Sequence, residues 1–511
     1  MPAGGKTTGK LRWGGSVGGS APSGSICDFR HFIPPNALGS RQHSINPGGK
    51  SVKRYQVALL AAALSVSLVA GACGRSGSEG ANGGNTPSTN AADAKCKGAT
   101  LESTEIGVSA TEITVEVSAD TGSSLAPGLF QGNVDAMNGY AKYVNANGGI
   151  GCRQLKVIAW DSKLSPEESK NGIINACQNA LAMVGGNALF NPDVTVLGNC
   201  VDKAGQATGL PDFVALANDI NEQCAPNSWV IQAVAETCPS DGKPPTGPRD
   251  LKAFVGFLKY LQSQQSDLKG IFLVPGDLPT TVQSATYQIE ANKQIGINIV
   301  DSFKTSGSLQ QAGFTPFVQA LKDNSGNYVY NGSNDANMIK MRKESAAQGY
   351  SGVKVWACSL ACYTEKFKAE GATVDNTYVW TQFLPFEEAS ENTSLKAYID
   401  SVGKPDSFGM QAWQAGMLFK ETIDKIVAAD GPNGITRASV IKTMKTITDF
   451  TAGGTMGPKS AKGFSDCMVV LQIKGGQFTR ATGKAGEFTC EPQNVITISN
   501  FDPAAEAAKV R

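Results

Sequence analysis

Both histidines of this 511-residue chain, His31 and His43, lie close to its N-terminus. The body of the chain, by which we mean the residues after Cys73, therefore lacks histidine. Histidine is the commonest general base at neutral pH and the commonest metal ligand. Its absence excludes Ser-His-Asp and Cys-His catalysis and most zinc sites from the body. The body also lacks a G-x-S-x-G turn and a phosphate-binding P-loop. We therefore expect no enzyme, no cofactor and no metal site.

Charge of one sign and long apolar runs are also scarce. The chain has 45 basic and 44 acidic residues, a net charge of +1. This balance gives no electrostatic footprint for nucleic acid or for an anionic membrane. One long apolar run occurs, at 57–72, so we expect a body that meets the membrane only through an anchor.

That run has the features of an export signal. Lys53 and Arg54 precede it, and small residues at 70–72 end it before Cys73. It is shorter than the roughly 20 residues that a spanning helix needs. We predict a lipoprotein signal peptide over 52–72, with Cys73 as the lipidated first residue of the mature protein. An ordinary secretory signal or a marginal anchor helix are the alternatives, and all three put the body outside the cytoplasm.

The segments beside the signal are poor in apolar residues. Residues 1–51 are rich in Gly, Ser and Pro and show no periodicity, so we expect a disordered and non-native leader, with translation starting at Val52. Residues 73–95 have the composition of a flexible tether, which spans roughly 25 Å as a random coil.

Ten of the 12 cysteines lie in the body of the chain, beyond Cys27 and Cys73. An even number in an exported chain indicates disulfides. Connectivity does not follow from sequence, and we predict pairing in chain order. Cys358 and Cys362 could instead bind a metal, although no histidine lies near them. The ten residues are Cys96, Cys152, Cys177, Cys200, Cys224, Cys238, Cys358, Cys362, Cys467 and Cys490.

Strand and helix patterns alternate along the body in two successive runs. Residues 112–117 (EITVEV) and 155–160 (LKVIAW) are typical of strands, and 130–144 repeats apolar residues at helical spacing. Such alternation predicts parallel sheets covered on both faces. The length suits two lobes. We therefore predict an α/β fold of two doubly wound, Rossmann-like lobes, which would bind small molecules between their strand ends.

An ordered set of short motifs resembles the type I extracellular solute-binding proteins of ABC importers, in particular the branched-chain amino acid and amide binders. The similarity covers roughly residues 105–480. The motifs are GVSATEI at 107–113, TG at 121–122 with APG at 126–128, NGGIG at 147–151, WD at 160–161, VGG at 184–186, LPDF at 210–213, the helix at 408–430 and FTAGG at 450–454. Cys177 and Cys200 stand where some members have a disulfide.

The resemblance implies three crossover segments between the lobes and a monomer that an ABC permease recognises when closed. It places 105–235 plus 378–450 in the first lobe and 236–377 plus 451–495 in the second, with a tail at 496–511. The same fold also occurs in sensors, and an extracellular ligand sensor without transport is an alternative function. A two-lobed extracellular enzyme is a further alternative.

Ligand-binding positions follow from the resemblance one by one. The expected residues are Ser123, Asn187, Ala188, Leu189, Leu216, Ala217, Asn218, Asn334, Ser359 and Trp413. For Asp277 there are two alternatives, a place in the lining of the cleft or the cap of the next helix. Leu189 stands where amino acid binders present serine to the carboxylate, and Ser359 where they hold the ammonium with an acid. A buried unpaired charge is costly. We therefore expect a neutral polar solute, such as an amide, a urea-like compound or a polyol, before an amino acid. An aromatic acid would need Trp413 or Tyr363 in the cleft.

Overall fold

The computed structural model describes residues 89–123, 127–191, 193–233, 238–239 and 247–511. All of them belong to one compact unit of the chain. The predicted leader, the signal at 52–72 and Cys73 lie outside the described residues. The end of the expected tether is helical, since α1 (Thr89–Cys96) is closed onto the fold by the disulfide Cys96–Cys152. No helix among the described residues is both long and apolar enough to cross a bilayer.

The first lobe is built on five parallel strands in the order β2-β1-β3-β4-β5. The strands are β1 (Glu112–Ala119), β2 (Gln154–Asp161), β3 (Ala182–Val184), β4 (Asp212–Leu216) and β5 (Ser228–Gln232). The helices between them are α2 (Gln131–Ala146), α3 (Pro166–Asn179), α4 (Thr195–Asn199) and α5 (Ile220–Cys224).

Local sequence explains these elements. In β1, Ile113, Val115 and Val117 point to one face of the sheet and are fully buried. Helix α3 begins as its sequence predicts, because Ser165 accepts a hydrogen bond from the Glu168 N–H at 3.3 Å. A serine cap of this kind satisfies an N–H that the helix itself leaves unpaired.

The second lobe continues with six strands and five helices. The strands are β6 (Arg249–Phe254), β7 (Lys269–Pro275), β8 (Asn298–Thr305), β9 (Tyr328–Asn331), β10 (Val355–Cys358) and β11 (Thr377–Thr381). The helices are α6 (Gly256–Gln264), α7 (Pro279–Gln294), α8 (Thr315–Asp323), α9 (Asp335–Ala347) and α10 (Glu365–Lys368).

The chain then returns to the first lobe and crosses back. The returning helices are α11 (Thr393–Ser401), α12 (Ser407–Asp430) and α13 (Arg437–Met444). The last elements are β12 (Cys467–Lys474), β13 (Gln477–Arg480), β14 (Thr489–Cys490), β15 (Val495–Phe501) and α14 (Pro503–Ala507). The second sheet has the order β13-β12-β11-β10-β9-β7-β8, with β14 beside β12 and with β12 and β13 antiparallel.

Two expected boundaries differ from the structure. We expected residues 378–450 to belong to the first lobe. The strand at the start of that range is β11, which belongs to the second sheet because it pairs with β10 and β12. The expected tail at 496–511 contributes β15, which pairs with β6. Ile498 and Phe501 are buried in the same hydrophobic cluster as Leu251, so this segment is an integral part of the second lobe.

Three segments cross between the lobes, as the resemblance implied. They run from β5 to β6, from β11 to α11, and from α13 to β12. The second and third pair with each other, because the Leu384 N–H donates to the Thr455 carbonyl at 3.0 Å and Phe383 forms a bridge with Met456. The second and third crossovers are therefore bonded to each other rather than independent linkers.

All ten cysteines of the described body are paired in chain order, which confirms that prediction. The bridges are Cys96–Cys152, Cys177–Cys200, Cys224–Cys238, Cys358–Cys362 and Cys467–Cys490. The Cys358–Cys362 bridge leaves no free thiolate there for the alternative metal site. Cys467 and Cys490 lie near the Asp466 carboxylate, but their sulfurs are bridged as well.

Glu116 gives the first lobe a pH-dependent stability. Its side chain, fully buried in β1, accepts from Asn175 Nδ2 at 2.6 Å, and burial raises its pKa from 4.5 to about 7 despite this hydrogen bond. The contribution of protonated Glu116 to the free energy of unfolding is therefore complete below pH 4.5, and it is lost as the pH rises through about 7.

We expect Glu116→Gln to unfold at the same urea concentration as the parent near pH 4 and to be more stable at pH 8, by up to about 3 kcal/mol. Glu112→Gln, at the exposed start of the same strand, is the control. A stability difference that stays constant from pH 4 to 8 would show that Glu116 titrates normally.

Candidate functional site

The predicted positions of the first lobe gather at one edge of its sheet. Ser123 follows β1, Asn187, Ala188 and Leu189 follow β3, and Leu216, Ala217 and Asn218 end or follow β4. Carboxyl ends of parallel strands meet at the same edge, where open α/β sheets bind ligands. The structure thus brings these seven residues to one end of the first lobe.

Asn187 and Asn218 form a pair at this edge. The Asn218 amide donates to Asn187 Oδ1 at 2.8 Å, and the Asn187 backbone N–H donates to the Ser118 carbonyl at 2.9 Å. Asn187 is fully buried, and its Nδ2 has no partner among the described residues. A buried N–H₂ group without an acceptor costs free energy, so Asn187 Nδ2 is an unsatisfied donor at this edge of the sheet.

Asp120 organises the loops around this pair, and sequence reasoning did not single it out. Its buried carboxylate accepts from Ser162 Oγ at 2.6 Å, from the Leu164 N–H at 2.7 Å and from the Leu189 N–H at 2.8 Å. These donors belong to the loops after β2 and β3. The sequence did contain a signal for this role, because Asp120 is an acidic residue that directly follows a strand of buried residues.

Asp161 supports the same edge from the end of β2. Its Oδ1 accepts from the backbone N–H groups of Thr121, Gly122 and Lys163, each at 3.0 Å. Partial desolvation would raise its pKa, but the N–H groups, led by that of Gly122, hold the pKa below its usual value. Asp161 therefore remains ionised and fixes the loop that carries Ser123.

The predicted site residues of the second lobe also follow strand ends. Their side-chain oxygens accept hydrogen bonds from backbone N–H groups of the second lobe. Asp277, exposed after β7, accepts from the Gly307 N–H at 3.0 Å and does not cap α7. Asn334 caps α9 by accepting from the Asn337 N–H at 2.9 Å. Ser359 accepts from the Ala361 N–H at 3.4 Å in a single 3-10 turn. These bonds fix the loops after β7, β9 and β10.

Trp413, expected at a cleft-facing point, lies in the core. It is 1% exposed, and its ring centroid is 4.9 Å from that of Tyr140 and 5.6 Å from that of Tyr398. The reason is its place in the first turns of α12, which pack against α2. Tyr363 is also buried: its hydroxyl accepts from the Phe386 N–H at 2.7 Å and donates to Glu387. Neither ring has surface with which to stack on a ligand.

One lobe has a parallel sheet and the other a mostly parallel one, and three crossovers join them. With polar loops at the strand ends, this is the architecture of a two-lobed binding protein. The family model described as "Periplasmic binding protein" matches residues 112–477. The chain belongs to this family. No curated protein matches it by sequence.

Solved structures share the fold at low sequence identity. A substrate-binding protein of an ABC transporter from Aeropyrum pernix superposes with a TM-score of 0.56 at 12% identity, over 78% of this chain and 100% of that one. A fatty acid ABC transporter substrate-binding protein from Thermomonospora curvata gives 0.53 at 14%, over 80% and 96%. An R. palustris solute-binding protein in complex with benzoate gives 0.53 at 16%, over 75% and 98%.

We expect Asp120→Asn to destabilise the first lobe. The new amide nitrogen must face the N–H of either Leu164 or Leu189, and this donor–donor contact leaves a partly buried N–H unpaired, at a cost of about 1–3 kcal/mol. Urea unfolding at pH 7 measures the loss, with Asp267→Asn at an exposed site as the control. Equal midpoints for the two variants would mean that Asp120 does not hold these loops.

Proposed function

We propose that this protein is a lipid-anchored extracellular solute-binding protein, which captures a small neutral polar molecule between its lobes and delivers it to an ABC importer. Membership of the periplasmic binding protein family supports solute binding for import. The signal at 52–72 with Cys73 at its end supports the anchor. The family and its neighbours are binding proteins, which favours capture over catalysis.

The Asn187–Asn218 pair is the observation that carries the proposed ligand class. Amide groups donate and accept hydrogen bonds without carrying charge, which suits a neutral amide, a urea-like compound or a polyol. Leu189 offers only a backbone N–H, and Asp120 already accepts it. Ser359 supplies no negative charge for an ammonium group.

A charged or aromatic solute fits these residues less well. The carboxylate of an amino acid would need donors that Leu189 lacks, and an aromatic acid would need an exposed ring, whereas Trp413 and Tyr363 are buried. The benzoate and fatty acid of two structural neighbours belong to those proteins, whose identity to this chain is too low to transfer a ligand.

A thermal-shift screen of the mature chain tests the proposal. We expect one of the neutral probes, which include acetamide, N-methylurea, glycerol and erythritol, to raise the melting temperature, whereas L-leucine and benzoate do not. A ligand at a concentration of 100 times its Kd raises the free energy of unfolding by about 2.7 kcal/mol. Asn187→Ala and Asn218→Ala should each weaken that binding roughly tenfold, or about 1.4 kcal/mol, measured by calorimetry. Asn298→Ala, at the exposed start of β8, is the control.

Tight binding of leucine or benzoate would overturn the neutral ligand class while leaving solute binding intact. Turnover of any bound probe would favour the enzyme alternative.

The anchor has its own test in Cys73→Ala. We expect this variant to appear in the soluble extracellular fraction, because alanine has no sulfur to carry the lipid that holds the parent in the membrane fraction. Ser76→Ala, three residues beyond Cys73, is the control. Membrane retention of Cys73→Ala without detergent would favour the anchor-helix alternative.

A further inference from the structure

A buried hydrogen bond links the loop after β3 to helix α5. Asn191 lies two residues beyond Leu189, and its Nδ2 donates to Glu222 Oε1 at 2.7 Å. Both side chains are 3% exposed. Asp219 caps α5, and a Glu three residues into a helix commonly reaches back toward the cap. Here that Glu instead faces the loop that carries Asn187.

The same helix is tied to two of the three crossovers. Ser228 Oγ donates to the Glu222 carbonyl at 2.7 Å, and Lys462 Nζ donates to the carbonyls of Ser228 at 2.6 Å and of Ala225 at 2.8 Å. Lys462 lies on the crossover between α13 and β12. The disulfide Cys224–Cys238 ties the first crossover to the end of α5. Helix α5 therefore stands between the candidate ligand loop and the segments that must bend when the lobes move.

Several charged groups act on Glu222 from the surrounding elements. Asp212 lies at the start of β4, Asp219 caps α5, and Lys462 approaches from the crossover. Lys445 acts in turn on Lys462. Glu222 Oε2 and Asp212 Oδ2 are buried and have no hydrogen-bond partner within the described ranges. Two unpaired carboxylate oxygens at one buried site are best satisfied when the site holds protons.

The pKa shifts at this site also favour its uncharged groups, because burial raises the pKa of each carboxyl group and lowers the pKa of each lysine. Burial, and next the charge of Asp212, raise the pKa of Glu222 well above its usual value, against the Asn191 hydrogen bond. Burial raises the pKa of Asp212 to about 7, and Lys462 opposes this. Burial lowers the pKa of Lys462 to about 7, with Asp212 opposing. Lys459, on the same crossover, has its pKa lowered to about 7 by burial and then by Lys462.

We propose that Glu222 is a positioning residue, which holds the candidate ligand loop through Asn191 and makes the order of that loop, and with it ligand affinity, depend on pH. The affinity part rests on the proposed function. Below neutral pH, protonated carboxyl groups fit the buried site. As the pH rises, Asp212 and Glu222 become negative while Lys462 loses its charge. Their repulsion then favours outward movement of α5, which releases Asn191 and loosens the loop.

Hydrogen–deuterium exchange of the mature chain tests the loop without a ligand. We expect exchange in 185–191, corrected for intrinsic rate, to increase roughly tenfold between pH 6 and pH 9. Glu222→Gln keeps an acceptor for Asn191 but cannot ionise, so its loop should stay protected across this range. Glu167→Gln, at the exposed first turn of α3, should behave like the parent.

A second variant separates positioning from charge. Asn191→Ala should expose the loop to exchange at pH 6 as well as at pH 9, because the link to Glu222 is absent at both. A Glu222→Gln profile that follows the parent, or an Asn191→Ala loop that stays protected, would overturn the proposal, and either variant alone suffices if the other fails to fold.

A binding arm uses the neutral probe with the largest thermal shift. We expect its Kd to increase with pH in the parent and to stay level in Glu222→Gln. If no probe binds but the exchange results hold, the proposed ligand class fails and the role of Glu222 in the loop stands. If a probe binds with the same pH profile in both proteins, the link to affinity fails and solute binding stands.

Discussion

Parallel hydrogen bonding between β1 and its neighbours determines which loops meet at one edge of the first sheet. The register runs from Glu112 opposite Gln154 to Ala119 opposite Asp161, and β3 joins on the other side. Because all five strands point the same way, their following loops meet at one edge. Asp120, Asp161 and Asn187 are consequently neighbours although they are far apart in sequence. A shift of the strand register would move these side chains away from one another.

The two lobes are joined by packing as well as by chain. A row of aromatic rings runs from Phe478 of the second lobe through Tyr363, Phe386 and Tyr398 to Trp413 of the first, with centroids 4.7–5.8 Å apart. Arg480 also forms a bidentate ion pair with Glu388, in which both hydrogen bonds are 2.6 Å long. This row of rings and the Arg480–Glu388 pair therefore connect the two lobes by direct side-chain contact.

Local patterns were enough to predict the fold class and the cap of α3, because each depends on neighbouring residues. The chain-order pairing of the cysteines is correct, although sequence does not fix connectivity and Cys96–Cys152 joins residues 56 apart. Strand β11 pairs with β10 and with β12, and its lobe was misassigned because a local strand pattern does not specify the sheet to which the strand belongs. Trp413 was placed wrongly for a similar reason: contact with α2 decides which side of α12 is buried. Asp120 and Glu222 were missed because their roles arise from N–H groups and amides that only folding brings near.

The covalent bridges are distributed in a way that matters for movement. Two lie wholly within the first lobe, two within the second, and Cys224–Cys238 fastens the first crossover to the first lobe. Among the described residues, no bridge spans from one lobe to the other. The disulfides thus cross-link each half against unfolding and add no covalent constraint on the angle between the halves.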